Sequence, residues 1–221
     1  MPTAAVDSGS LPGTTRAWPG RRQDTPGAGQ FASPPGRAST ARKAGILLDR
    51  DGTIIVDHGY VGSVERVEFI PGAAEAIAAF NQAGIPVAVV TNQSGVARGY
   101  YGISDVDAVH DHIAGWLAGH GAWIDLYLFC PYHPDGVVER YVRRSEDRKP
   151  GLGMARAAAA ALNLDLGASW VVGDRPEDME LAAGIGASAV YVGSGSYDRP
   201  GVWSYASLAA AAPFILERIT Q

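Results

Sequence analysis

Five short, nearly unbroken apolar runs constrain this chain more than any other feature: Gly45–Asp49, Pro86–Thr91, Leu126–Cys130, Trp170–Asp174 and Ala189–Val192. Between them lie helical patterns over 71–83, 106–118 and 152–162, then 177–183, and a last one over 208–219. Strands that are apolar on both faces belong to a sheet covered on both faces. The alternation therefore predicts an α/β fold with a doubly wound parallel sheet over residues 44–221. Pro71 near the start of the first helix and Gly84 just past its end are the usual punctuation. Ser104 is read as the N-cap of the second helix, with Asp107 three residues on. No inserted run is long enough for a large cap domain; 53–70 reads as a short flap and 130–147 as a loop over the strand ends.

Composition narrows the classes. The chain of 221 residues is 47% hydrophobic and 19% charged, enough apolar side chain for a real core. Its longest apolar runs fall far short of the roughly 20 residues a membrane helix needs. The single cysteine, Cys130, excludes an intramolecular disulfide framework and points to a reducing, cytoplasmic setting. Residues 1–43 differ from the rest: 28 of the 43 are Gly, Pro, Ser, Thr or Ala, and their net charge is +4. They read as a disordered leader, because no apolar period is present to offset ordering entropy. The remaining residues carry a net −9, so neither nucleic acid nor membrane is an expected partner. A domain this acidic that handles anions needs a metal or a few well-placed cations.

In parallel sheets the working crevice lies outside the carboxyl ends of the strands. The first strand ends in Asp49-Arg50-Asp51-Gly52-Thr53, where the i, i+2 spacing sends both carboxylates the same way. Two carboxylates that close repel unless a cation, most simply Mg²⁺, neutralises them. The second strand ends in Thr91-Asn92-Gln93-Ser94-Gly95, where a hydroxyl and backbone N–H groups can hold phosphoryl oxygens. Asp174 ends the fourth strand and Asp178 follows in the next helix, while Arg148 and Lys149 precede another helix. Each of these has a plain structural alternative: a polar turn, a helix cap, a solvated basic pair. What joins them is their placement on one rim of one sheet, in order along the chain.

DRDGT at 49–53, TNQSGVARG at 91–99, CPYHPDG at 130–136, RKP at 148–150 and GDRPEDM at 173–179 resemble the haloacid dehalogenase superfamily of phosphatases. Within it they are similar to the D-glycero-D-manno-heptose 1,7-bisphosphate phosphatase family, with the histidinol-phosphatase branch closely related. The resemblance implies a Rossmann-like haloacid dehalogenase core and a Mg²⁺-dependent phosphomonoesterase acting through an aspartyl-phosphate. It makes Asp49 the nucleophile, Asp51 the general acid and base, and Thr91 with the Asn92 N–H the holders of phosphoryl oxygens. Lys149 becomes the cation that neutralises charge in the transition state. The metal ligands would be Asp49, the main-chain carbonyl of Asp51 and Asp174, with Asp178 behind them. Arg98 and Arg148 are spare cations suited to the second phosphate of a bisphosphate. The implied partner is a small phosphorylated sugar met by a monomer. Histidinol phosphate or another small phosphorylated metabolite is the alternative substrate, and a phospho-accepting receiver or binding module the alternative class. Asp51, placed to activate water, argues against a stable phospho-aspartate.

One motif departs from the family, whose loop carries a structural zinc on a Cys-x-His pair and a later Cys-x-Cys pair. Here those pairs read Cys130-Pro131-Tyr132 and Ser145-Glu146-Asp147, and His133 sits beside the histidine position. Three of four ligands are replaced, so a zinc-free loop is expected, held by pairs between Glu139, Glu146 or Asp147 and Arg140, Arg143 or Arg144.

Overall fold

The central strand β2 (Ile46–Leu48) is only three residues long, yet all three are buried, with Ile46 and Leu48 on one side and Leu47 on the other. In this computed structural model, which describes residues 15–16 and 41–219, the same alternation organises β3 (Val87–Asn92) and β5 (Trp170–Gly173). Val87 and Val89, with Trp170 and Val172, join one core; Ala88, Val90 and Val171 join the other. That is the two-residue period of a strand packed on both faces. Helices α1 (Ala73–Gln82), α2 (Ile103–Gly119) and α5 (Leu208–Ile219) cover the first face. They do so through residues such as Phe80, Ile113 and Ile215, spaced to fall on one side of each helix. Helices α3 (Gly153–Leu162) and α4 (Pro176–Ile185) cover the second through Met154, Ala158, Met179 and Leu181. Each fully buried aliphatic side chain contributes roughly 1.5–3 kcal/mol.

With β4 (Leu126–Cys130), β6 (Ser188–Val192) and β7 (Val202–Tyr205), the parallel strands lie in the order β4-β3-β2-β5-β6-β7. The doubly wound parallel sheet read from the sequence is present, with one addition and one qualification. The addition is β7, which the sequence pattern does not reveal. The qualification is β1 (Thr15–Arg16), which pairs antiparallel with β4. Beyond those two residues and 41–43, the predicted leader lies outside the described residues. Within 41–43, the Lys43 N–H donates to the Asn163 carbonyl (3.1 Å). The second helix starts at Ile103, not 106. Its cap is Gly102, whose N–H is taken by the Asp105 carboxylate at 2.7 Å, so Ser104 and Asp107 are not the capping pair.

The chain turns from β2 to β3 on one side and meets β5 on the other, so the sheet reverses direction of growth at β2. The crevice of such a sheet opens at that reversal. Among the described residues no insertion forms a domain of its own. The connections over this end are 49–72, with a single 3₁₀ turn at Val64–Arg66, and 131–152, with another at Glu139–Tyr141. No helix of the described residues is long and apolar enough to cross a membrane.

Candidate active site

Asp49 follows β2 directly and is fixed by three partners. Its N–H donates to the Val172 carbonyl at 2.9 Å, which ties it to β5. Its Oδ1 accepts the Arg50 N–H at 2.7 Å and pairs with Lys149 Nζ at 3.0 Å. No described residue hydrogen-bonds Oδ2, and the side chain keeps 9% exposure, so one oxygen faces a cavity of about 310 Å³. Asp51, Asn92, Gln93, Arg148 and Lys149 line the same cavity.

Lys149 reaches this point because Asn92 grips its backbone. Asn92 Oδ1 accepts the Lys149 N–H at 3.0 Å, and Asn92 Nδ2 donates to the Lys149 carbonyl at 3.1 Å. The Lys149 ammonium is buried and also pairs with Asp178 Oδ1 at 2.6 Å. Burial alone would lower its pKa. The charges of Asp178 and Asp49 outweigh that, hold it above the ordinary lysine range and keep it protonated. Asp178 is fully buried in the first turn of α4, where its Oδ2 accepts the Arg175 N–H at 3.1 Å and closes the helix end. It therefore both caps α4 and seats Lys149.

Asp174 leaves the end of β5 with its Oδ1 buried and without a hydrogen-bond partner. Burial, then the charge of Asp49, push its carboxyl up to about 6. Ligand atoms of Asp49, Asp174 and Asp178 all lie within 4.8 Å of one another. Gly52, at φ +77°, lets the turn after β2 press against this group; a Cβ there would stand 2.1 Å from Asp174 Oδ2. Mutually repelling carboxylates with a buried, unpartnered oxygen fit a hard divalent cation such as Mg²⁺. Both oxygens of Asp178 are already engaged, which leaves Asp49 and Asp174 as the side chains open to the ion.

The structure does not bring every predicted residue to the cavity wall. Thr91 is buried at the end of β3, where its Oγ1 accepts from Gln93 Nε2 at 3.0 Å. Arg98 lies behind, its Nη2 3.4 Å from His133 Nε2 and its guanidinium 6.0 Å from the Tyr60 ring centre. Arg98 Nε and Arg148 Nη1 are both buried without a protein partner. Sequence reasoning missed two features. Arg50, between the two aspartates, is fully buried and binds Asp51 in a fork, with Nε to Oδ2 and Nη2 to Oδ1 each at 3.1 Å. Its placement between two acids was the available signal. The other is an ion pair between Asp57 of the flap and Arg175, both of which line the cavity.

The 130–147 loop packs on its own side chains. The Cys130 thiol is buried, points at the Tyr132 carbonyl (3.9 Å) and is pushed by burial up to about 11. Arg143 lies over the Tyr132 ring at 3.7 Å and Arg140 over the Tyr141 ring at 4.8 Å. Stacking of arginine on tyrosine is thus a force the structure shows on this loop, where the sequence suggested ion pairs. The Ser145 hydroxyl accepts the Asp147 N–H at 3.1 Å, and His133 Nδ1 accepts the Asp135 N–H at 3.1 Å. Among the described residues the only cluster of three or more metal-capable side chains is Asp49, Asp174 and Asp178.

Known proteins match this arrangement. A HAD-hydrolase-like family model matches residues 147–219. The D-glycero-β-D-manno-heptose-1,7-bisphosphate 7-phosphatase of Yersinia pestis is 42% identical over 147 residues, 66% of this chain and 78% of its own length. The protein of the same name from Rhodopseudomonas palustris is 43% identical over 149 residues, 67% of this chain and 83% of its own. The crystal structure of D,D-heptose 1,7-bisphosphate phosphatase from B. bronchiseptica, complexed with magnesium and phosphate, superposes with a TM-score of 0.71 at 33% identity. That match covers 79% of this chain and 98% of the other. With a doubly wound core, an aspartate cluster at its switch point and relatives of this closeness, the chain belongs to the haloacid dehalogenase-like phosphatases, in the heptose-bisphosphate phosphatase family.

Proposed function

We propose that this phosphatase removes the 7-phosphate of D-glycero-D-manno-heptose 1,7-bisphosphate by way of a phosphoryl group carried on Asp49. The observation that carries the reading is the paired engagement of Asp49 Oδ1 by Lys149 and the Arg50 N–H, with Oδ2 left toward the cavity. Asp49 Oδ2 attacks phosphorus as the bond to the sugar oxygen breaks, and Asp51 gives its proton to that oxygen. Asp51 then takes a proton from water as the water oxygen bonds to phosphorus, and Asp49 is released. Lys149 neutralises the charge that gathers on Asp49 and the phosphoryl oxygens, while Thr91 and the Asn92 N–H hold those oxygens. Asp49, Asp174 and the Asp51 carbonyl would hold Mg²⁺, which supplies charge neutralisation and polarisation of the phosphoryl group when bound. Arg148, which lines the cavity and has a buried unpartnered guanidinium nitrogen, suits the distal phosphate, with Arg98 behind it adding positive charge.

The 130–147 loop works without zinc on this reading, supported by Tyr132, Ser145 and Asp147 in three of the four ligand positions and by the Tyr132–Arg143 stack. A reducing, cytoplasmic setting is supported by the single cysteine, and a monomer is proposed with it. Sedimentation velocity tests the second point.

A phosphate-release panel with Mg²⁺ is the direct experiment, containing heptose 1,7-bisphosphate, histidinol phosphate and other sugar phosphates. The bisphosphate should give the highest kcat/KM, and chelation should silence the enzyme until Mg²⁺ is returned. A preference for histidinol phosphate would replace the substrate assignment, and full activity after chelation would remove the metal site.

A further inference from the structure

We propose that Arg50, Gln93 and Tyr101 form a chain of positioning residues that fixes the direction of the Asp51 carboxyl and, through the same amide, the Thr91 hydroxyl. The proposal rests on the phosphatase reading above, which assigns Asp51 the proton transfers.

The chain starts from donors that cannot reverse. Arg50 carries only N–H donors, and its Nη2 lies 3.0 Å from Gln93 Oε1. The Tyr101 hydroxyl donates to that same oxygen at 2.8 Å. Burial pushes the Tyr101 phenol up to about 12, so it keeps its proton and remains a donor. Two donors on one oxygen settle which end of the Gln93 amide is which. Its NH₂ must then face the other way, where it meets Asp51 Oδ2 at 2.8 Å and Thr91 Oγ1 at 3.0 Å. Since Thr91 accepts from Gln93, its own proton is free to be donated to a phosphoryl oxygen.

Asp51 is thereby held from two sides. Oδ2 accepts from both Gln93 Nε2 and Arg50 Nε, while Oδ1 accepts from Arg50 Nη2. Arg50 is itself anchored by donating from Nη2 to the Val61 carbonyl at 2.7 Å, and its side chain is wholly buried. A fork-to-carboxylate contact sets a plane as well as a distance, which a lysine at position 50 would not reproduce. Tyr101 is placed with equal strictness. A Cβ at Gly62 would fall 2.0 Å from its ring, and one at Gly95 2.3 Å from it, so the ring fits only between two glycines. Gly62 belongs to the flap and Gly95 to the loop after β3. The chain therefore ties both segments that frame the cavity to the orientation of one carboxyl.

A general acid matters in proportion to how badly the leaving oxygen needs a proton. A sugar alkoxide needs one; p-nitrophenolate leaves without it. The experiment compares kcat/KM on heptose bisphosphate and on p-nitrophenyl phosphate for wild type, Gln93→Met and Tyr101→Phe, each checked for its melting temperature. Arg50→Lys is a third variant, set apart because loss of a buried fork can unfold the chain. Proper aiming of an acid is part of the ~10²–10⁴-fold such groups contribute, so Gln93→Met should lose about 10-fold more on the sugar ester than on the aryl ester. Tyr101→Phe should shift the ratio the same way by less. Equal losses on both esters, or no loss in either variant, would overturn the positioning role. Wild type that hydrolyses neither ester would instead overturn the phosphatase reading, and this proposal with it.

Discussion

Replacing Lys149 by methionine keeps most of the side chain's volume and removes one buried charge. In the folded protein that ammonium lies 2.6 Å from Asp178 and 3.0 Å from Asp49, with 2% of its side chain exposed. Removing one partner of so enclosed a pair leaves an uncompensated carboxylate, which costs about 3–5 kcal/mol. For a chain of this size that corresponds to a drop in Tm of roughly 6–20 °C. Asp178→Asn should cost less, about 1–3 kcal/mol, because Lys149 keeps Asp49 as partner and the amide oxygen can still accept the Arg175 N–H. The double variant carries neither charge and should be more stable, by about 2 kcal/mol, than the two single costs added together, a coupling typical of groups in direct contact. Urea denaturation of wild type, both single variants and the double variant measures the cycle. Phosphate release on the same samples separates folding from chemistry. Activity should stay at least ~10²-fold down in the double variant, since no cation remains beside Asp49. A cost below about 1 kcal/mol for Lys149→Met, or a double variant whose cost equals the two single costs added together, would show that solvent screens the pair and that Asp178 does not seat the lysine.

Three further outcomes are expected. Asp49→Asn should abolish turnover with the melting temperature retained, because an amide cannot form the phosphoryl intermediate; wild-type-like turnover in the purified variant would remove the covalent route. Elemental analysis of protein purified without added metal should find zinc well below one per chain, and near-stoichiometric zinc lost on Cys130→Ser would reverse the reading of the 130–147 loop. Burial, with the Arg50 charge, holds His110 well below its ordinary 6.5, so between the two values the unfolded chain binds a proton that the folded one refuses. The stability this confers is whole above pH 6.5 and is lost as pH falls, by at most about 1.4 kcal/mol per unit; His110→Phe should lessen that slope, and identical pH profiles would mean the ring takes up its proton in place.

How much of this was legible in the sequence follows from what each feature needs. Asp49, Thr91 and Asp174 could be read as neighbours because parallel strands deliver their carboxyl ends to one edge, and order along the chain then implies proximity. β7 could not, because an outer strand lacks the unbroken burial that marks the inner ones. Val202–Tyr205 is part-exposed, has a strand neighbour on one side only, and follows a Gly-, Ser- and Pro-containing stretch at 193–201. The cap of α2 escaped for a different reason. Cap patterns look for an oxygen on the first residue, and Gly102 has none; the closing oxygen comes from Asp105. Gln93 is the clearest limit. Its sequence neighbours describe a polar turn, and its role depends on Arg50 and Tyr101, which reach it from different segments.

The charge at the switch point makes a case for the metal that does not depend on any relative. Five carboxylates, those of Asp49, Asp51, Asp57, Asp174 and Asp178, meet there, and three cations are committed to them: Arg50 to Asp51, Lys149 to Asp49 and Asp178, and Arg175 to Asp57 and, at 3.7 Å, to Asp174. None of the three cations is then spare, and the cluster is left two charges short of neutrality. The shortfall shows in Asp174, whose carboxyl is driven up to about 6 by burial and by Asp49. A phosphate dianion approaching Asp49 through a domain of net −9 would meet repulsion from the residues meant to attack it. One divalent ion between Asp49 and Asp174 closes the deficit. Arg148, which lines the cavity, then stands as surplus positive charge, with a buried N–H still to satisfy. On the proposed reading, an acidic domain thus receives a doubly phosphorylated substrate because its acids serve the ion and Arg148 serves the anion.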